Sequence, residues 1–184
     1  MRIKQIEYEG FRSVPASLTL RLQPNLTCLI GANEHGKSNL LDGLFLLDEE
    51  TFDECDKNVQ STDEDHPTLT YTLTLSASEI RDIGAALKQQ IASTVGDDAP
   101  AVKSRELWKK GLNYFAGGGS SIEVSLISND TRKFTIPESF ASSFSVVEGQ
   151  EPENGAVANW LIENMPTVRL FDMNIKRRMR SSTR

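Results

Sequence analysis

With 184 residues, 38% of them hydrophobic and 25% charged, the chain has the composition of an ordinary soluble globular protein and can bury a core, as one domain or as one domain with an insertion. No apolar run approaches the roughly twenty residues that cross a bilayer, no signal peptide opens the chain, and the isolated Cys28 and Cys55 suggest neither a zinc site nor a disulfide framework, so the expected compartment is the cytoplasm. The net charge is −6, yet the last residues hold Lys176, Arg177, Arg178, Arg180 and Arg184 without an acid; the remainder has fifteen basic against twenty-six acidic residues and lacks the general basic footprint of a stand-alone nucleic-acid binder.

Arg2 to Glu9 alternates, with Ile3 and Ile6 as apolar anchors and Tyr8 nearby, and reads as a strand ending at Gly10. Ser17 to Leu22 alternates more cleanly, Leu18, Leu20 and Leu22 facing one way and Thr19 and Arg21 the other. Pro24-Asn25 turns the chain into an apolar run, Leu26 to Ile30, which reads as a buried strand containing Cys28. At Gly31 that run breaks, and a helical pattern begins at Gly36, with Leu40, Leu41, Leu44 and Leu47 on its inner face.

Between strand and helix lies Gly31-Ala32-Asn33-Glu34-His35-Gly36-Lys37-Ser38, the G-x-x-x-x-G-K-S spacing of a phosphate loop in its strand–loop–helix context. The chemistry requires these residue types. Gly31 and Gly36 let the backbone bend and bring its N–H groups close to an anion, Lys37 offers a point charge to the β- and γ-phosphates, and Ser38 offers a hydroxyl to Mg²⁺. The helix N-terminus beyond adds free N–H donors and a favourable dipole. The expected ligands are a nucleoside triphosphate and Mg²⁺.

Leu44 to Glu49 imitates a Walker B string of four apolar residues followed by Asp48-Glu49. Asp48 follows Lys37 on the same helix, however, at a separation of about 16 Å at 1.5 Å per residue, and so points away from the phosphates. Residues 48 to 66 then read as an acidic, solvated loop with nine acids between Asp48 and Asp65. Thr68 to Leu75 is an amphipathic strand, and Ser76-Ala77-Ser78-Glu79 is a capping box that opens a helix to Thr94. Gly96 to Pro100 reads as a linker and Arg105 to Tyr114 as a short helix with Trp108 in the core; together these helices form an insertion over about residues 76 to 115.

Gly117-Gly118-Gly119 precedes an alternating strand rather than a helix, so it is read as a flexible lead into a hairpin and not as a second phosphate loop. Ser121–Ser128 and Thr131–Ile136 pair across Asn129-Asp130, and Phe140 to Val147 adds a short strand. Ala156 to Asn164 is a helix and Thr167 to Phe171 a strand, while Asp172 makes a poor Walker B aspartate because Arg169 interrupts the apolar run and Met173 stands where Glu belongs. Residues 173 to 184 form a basic tail beyond a lobe spanning 1 to 172.

The opening strand, Phe11-Arg12-Ser13, the second strand and the run from Leu29 through the phosphate loop to Asp42 resemble the N-terminal part of an ABC-type ATPase head of the RecF, SMC and OLD (overcoming lysogenisation defect) group. More weakly, Pro67 to Tyr71 and Met165 to Phe171 are similar to segments of OLD-type proteins. The resemblance implies an α/β P-loop NTPase fold, an ABC-ATPase-like lobe with a mixed sheet around the Walker A helix and an antiparallel edge sheet. It implies that Arg12 and Ser13 lie near the nucleotide, and that the loop backbone with Asn33, Glu34, His35, Gly36, Lys37, Ser38 and Asn39 holds phosphates and Mg²⁺. His35 departs from the small residue usual at its position and is not assigned a catalytic role. The group also sandwiches ATP between two heads and completes hydrolysis with a signature motif, a Walker B Asp-Glu and a switch His, none of which is found here, nor is a Toprim-type nuclease. The expected partners are therefore a second head and DNA, the latter through other regions or the basic tail, with no membrane. The leading reading is an ATPase half-site coupled to DNA repair or phage defence, incomplete without downstream segments. The competing ones are a nucleotide-dependent interaction module without turnover and, less in keeping with Phe11-Arg12-Ser13 and the acidic insertion, a transport ATPase head.

Overall fold

The computed structural model describes residues 1–14, 16–32, 36–49, 52, 54–58, 60, 67–97, 99–127, 131–135, 144–147 and 155–169. The described strands are β1 (Arg2–Glu9), β2 (Leu18–Arg21), β3 (Thr68–Thr74), β4 (Ser121–Ile127), β5 (Thr131–Thr135) and β6 (Phe144–Val147), and the helices are α1 (Lys37–Glu49), α2 (Ala77–Ser93), α3 (Ala99–Ala116) and α4 (Gly155–Glu163). The strands form one sheet in the order β2-β1-β3-β4-β5-β6, every neighbouring pair antiparallel.

Alternation in sequence becomes the two faces of this sheet. In β3, Leu69, Tyr71 and Leu73 are buried while Thr68, Thr70, Thr72 and Thr74 turn to the opposite face. Ile6 and Tyr8 of β1 and Ile122, Val124 and Leu126 of β4 join them on the core side. The same core takes in Leu46 and Leu47 of α1, Ile83 and Leu87 of α2, Trp108 and Phe115 of α3, and Val157 and Leu161 of α4. The other face is polar, and across it Thr70 and Ser125 exchange a hydroxyl hydrogen bond at 3.0 Å.

Several expectations need correction. Leu26 to Ile30 is not a buried strand: Leu26 is 73% and Ile30 94% exposed, Cys28 is exposed, and no described strand pairs with the run. An apolar run is buried only where a neighbouring ladder receives it, and none of the six described strands lies alongside. The described sheet is accordingly antiparallel throughout, not mixed around the Walker A helix. The stretch from Gly96 to Pro100 is not all linker, because α3 begins at Ala99 with Pro100 in its first turn, where a missing N–H costs nothing. Gly117-Gly118-Gly119 closes α3 instead of loosening a hairpin. Gly119 N–H donates to the Tyr114 carbonyl at 2.9 Å and Gly118 N–H to Phe115 at 3.2 Å, the paired bonds of a Schellman cap, with Gly118 at φ 96°. Thr167 to Arg169 pairs with no described strand. The turn at Asn129-Asp130, residues 140–143 and everything from Leu170 onward, including Asp172 and the basic tail, lie outside the described residues.

The capping box is present in full: the Ser76 side chain accepts from Glu79 N–H, and the Glu79 carboxylate accepts from Ser76 N–H at 2.8 Å. Glu79 also accepts from the Met1 ammonium. Burial would raise the Glu79 pKa, but these bonds outweigh it and hold the carboxyl below its ordinary value.

Candidate functional site

The site is built where the turn after β1 meets the start of α1. Gly10 and Arg12 both take the left-handed region, at φ 60° and 47°, so the chain reverses sharply through Phe11-Arg12-Ser13. Phe11 is fully buried and pins the turn from below. From outside, Arg12 N–H donates to the Asp56 carbonyl at 2.8 Å, Asn58 N–H to Gly10 at 2.9 Å, and the Asn58 side chain to the Arg12 carbonyl.

Arg12 is held at both ends of its guanidinium. Its Nε donates to Asp56 Oδ1 at 2.8 Å and its Nη1 to Asp42 Oδ2 at 2.5 Å, while its Cζ lies 5.2 Å from the centre of the Phe11 ring. Burial alone would lower the Arg12 pKa; the hydrogen bonds and charges of Asp56 and then Asp42 overcome that and raise it above the ordinary arginine value. The acidic stretch is thus not wholly a solvated loop, since Asp56 and Asn58 are 3% and 7% exposed and clamp the turn.

One residue along, Ser13 reaches the loop. Its Oγ accepts from Asn39 Nδ2 at 2.8 Å and lies 2.9 Å from where a Cβ on Gly36 would stand. Gly36 has φ 77°, so a side chain there meets both backbone strain and the Ser13 hydroxyl. At Lys37 the helix begins, with Leu40 N–H donating to the Gly36 carbonyl at 3.2 Å and no acid in the first turn. The first N–H groups of such a helix have no intrahelical acceptor. Lys37 Nζ donates to the Gly31 carbonyl at 2.7 Å and also to that of Ala32, so its ammonium lies over the loop. Ser38 is exposed beside it.

Of the residues singled out from sequence, Arg12, Ser13, Gly36, Lys37, Ser38 and Asn39 therefore sit at one junction, with Arg12 engaged by two carboxylates. Asn33, Glu34 and His35 lie outside the described residues. The helix N-terminus, the ammonium at the Gly31 and Ala32 carbonyls, the exposed hydroxyl and the lack of a first-turn acid together fit a magnesium-bound polyphosphate.

What holds α1 in place was not visible in sequence. Tyr8 Oη donates to the Leu40 carbonyl at 2.6 Å, and Tyr71 Oη donates to the Gly43 carbonyl at 2.5 Å. Gly43 lets the Tyr8 ring lie against the helix backbone, since a Cβ there would overlap the ring edge. Burial pushes the Tyr8 hydroxyl well above the ordinary tyrosine pKa, so it stays a donor. Asp42, Gly43, Asp56 and Asn58 carry no motif; the sole hint was the pair of tyrosines at inward positions of alternating strands, where a buried hydroxyl needs a partner.

Comparison with known proteins adds three findings. A family model described as an AAA ATPase domain matches residues 1–153. Over 44 residues, 24% of this chain, there is 43% identity to the chromosome partition protein Smc of Mycobacterium tuberculosis (strain ATCC 25618 / H37Rv) and 41% to that of Mycolicibacterium paratuberculosis (strain ATCC BAA-968 / K-10). The match spans only 4% of the length of those relatives. A solved structure from a study of ATP-driven dimerization and DNA stimulated activation of SMC ATPases is similar over 88% of this chain and 78% of its own, at 16% identity and a TM-score of 0.40.

Proposed function

This chain belongs to the AAA ATPase domain family, and on that premise we propose that it is the ATP-binding lobe of a P-loop ATPase that works together with signature and Walker B elements. The observation that carries the reading is the junction at Gly36 and Lys37: a left-handed glycine feeding a helix N-terminus, with the Lys37 ammonium lying over the loop carbonyls. The triphosphate is received by main-chain N–H groups of residues 31 to 39, Asn33, Glu34 and His35 included, and Lys37 exchanges its carbonyl partners for phosphate oxygens. Ser38 would be the hydroxyl that holds Mg²⁺ arriving with ATP, and the ion would neutralise phosphate charge there. Ser13 and Asn39 brace the loop from the side. Arg12, already engaged by Asp42 and Asp56, fixes the turn that carries Ser13.

The resemblance to the RecF, SMC and OLD group supports an ABC-type arrangement in the cytoplasm. In that arrangement a second head faces the phosphate loop, downstream elements supply the water-positioning carboxylate, and turnover is coupled to DNA in repair or phage defence. Among the described residues, no helix is long and apolar enough to cross a membrane. Calorimetric titration of the chain with ATP and Mg²⁺ tests the core of this reading. Saturable binding that Lys37→Ala abolishes is expected; equal binding by the variant overturns it.

A second reading, a nucleotide-dependent interaction module without turnover, is favoured by the placement of the carboxylates on α1: Asp42 is drawn to Arg12, and Asp48 falls near the far end of the helix. Phosphate release by the isolated chain, dependent on Lys37, would exclude it.

A further inference from the structure

Beside β1, β2 and the end of β3 lies a cleft of about 590 Å³. Arg2, Lys4, Gln5, Arg21, Gln23 and Thr74 line it, bringing three cations into a chain of net charge −6. A break in strand register builds it. Ile3 pairs with Leu73 and Gln5 with Thr72, which leaves Lys4 as an extra residue in β1. A bulge re-aims side chains, and here Lys4 and Gln5 both line the cleft. On the other edge of β1 the Lys4 carbonyl accepts from Leu22 N–H at 2.9 Å, one rung beyond Gln5 and Arg21, so the ladder to β2 runs on past the bulge. Arg21, opposite Gln5 in register, donates from Nε to Gln5 Oε1 at 3.4 Å.

Two features mark the cleft as a place for an anion. Among the described residues, Arg2, Lys4 and Arg21 pair with no carboxylate; the nearby Glu7 accepts instead from Gln5 Nε2 at 2.8 Å. Thr74, opposite Arg2 in register, has a buried Oγ1 without a hydrogen-bond partner among the described residues. Leaving a buried hydroxyl unpaired is costly, and a phosphate oxygen is an acceptor suited to it and to the three cations together. No aromatic side chain lines the cleft, so bases have nothing to stack on.

We propose that this cleft, formed by Arg2, Lys4, Arg21 and Thr74 around the bulge at Lys4, binds the phosphodiester backbone of a nucleic acid without regard to sequence. The inference places DNA contact on this chain itself and does not depend on nucleotide binding at Lys37.

The test is fluorescence anisotropy of the full chain with a short labelled duplex across a salt series. Lys4→Gln combined with Arg21→Gln is expected to weaken binding at least about tenfold and to lower the salt slope by about two, roughly one per cation removed. Thr74→Val, a near-isosteric change, is expected to weaken binding while leaving the unfolding temperature unchanged or higher. Lys37→Ala is expected to bind duplex like the parent, which separates this inference from the nucleotide site. Three results overturn it: duplex affinity and slope unaltered in the double variant; binding abolished by neutralising Lys176, Arg177, Arg178, Arg180 and Arg184 alone; or inorganic phosphate shifting the Lys4 and Arg21 amide resonances while duplex does not, which assigns the cleft to a free phosphate.

Discussion

Tyr8 Oη donates to the Leu40 carbonyl at 2.6 Å, so the first strand of the sheet holds the helix that opens at the phosphate loop. With Tyr71 donating to Gly43 one turn further on, two neighbouring strands grip α1 by its backbone. Tyr8→Phe removes one hydrogen bond and keeps the ring. A loss of about 0.5–1.5 kcal/mol is expected, which for a chain of this size lowers the melting temperature by about 2–4 °C per kcal/mol. Gly43→Ala should be worse, because the added methyl overlaps the Tyr8 ring and must lift α1 from the sheet. Thermal unfolding ranks the two, and weaker MgATP binding by Gly43→Ala than by Tyr8→Phe is expected to accompany the ranking.

Arg12 gives a sharper test because two effects oppose each other. Arg12→Ala removes the cation shared by Asp56 and Asp42, and the loss of hydrogen bonds to charged groups in this partly buried pair is expected to cost about 1.5–3 kcal/mol. Part of the wild-type arrangement is itself strained, since Arg12 has φ 47°. Arg12→Gly loses the same ion pair but relieves that strain, so it is expected to be more stable than Arg12→Ala by up to about 1 kcal/mol. Denaturant titration of both variants checks the order; alanine equal to or better than glycine would show that the backbone there is not strained.

These relationships show where sequence reasoning succeeds and where it stops. Leu69, Tyr71 and Leu73 alternate with threonines, and period-two burial follows directly. Ser76 and Glu79 state their cap within four residues. The helix after the G-x-x-x-x-G-K-S spacing is legible for the same reason: the signal is local, and the helix expected from Gly36 begins at Lys37. Asp42 and Asp56, by contrast, lie 30 and 44 positions from Arg12, and nothing local marks either as its partner. Gly43 falls within an otherwise leucine-rich helical pattern, yet it is the position that meets Tyr8. Pro100 reads as linker yet lies in the first turn of α3, because proline ends one helix and starts another equally well.

Glu123 should make the protein more stable at mildly acid pH than at neutral pH through its own contribution. Burial, and then repulsion from Glu7, raise its pKa above the ordinary 4.5. A carboxyl whose folded pKa is raised contributes stability that is fully present below the unfolded value and is lost as pH rises through the folded value. Glu123→Gln removes that dependence. Its melting temperature is expected to exceed the parent's at pH 7, with the gap closing as the pH falls toward 4.5. A gap independent of pH would assign the effect to packing rather than to charge.

Leu26 and Ile30 provide the last test, of the run that leads into the phosphate loop. If this run were a buried strand, replacing Ile30 by Thr would cost as much as other core truncations, about 1–3 kcal/mol. Because Ile30 is 94% and Leu26 73% exposed, Ile30→Thr and Leu26→Thr are each expected to change stability by less than about 0.5 kcal/mol. Exposed apolar side chains on a segment that pairs with no described strand also invite association with other chains, so the double variant is expected to stay monodisperse at higher concentration than the parent. Denaturant midpoints and light scattering read the two effects separately. A large stability loss in the isolated chain would mean that these side chains are covered, and that the approach to Gly31 is packed rather than open.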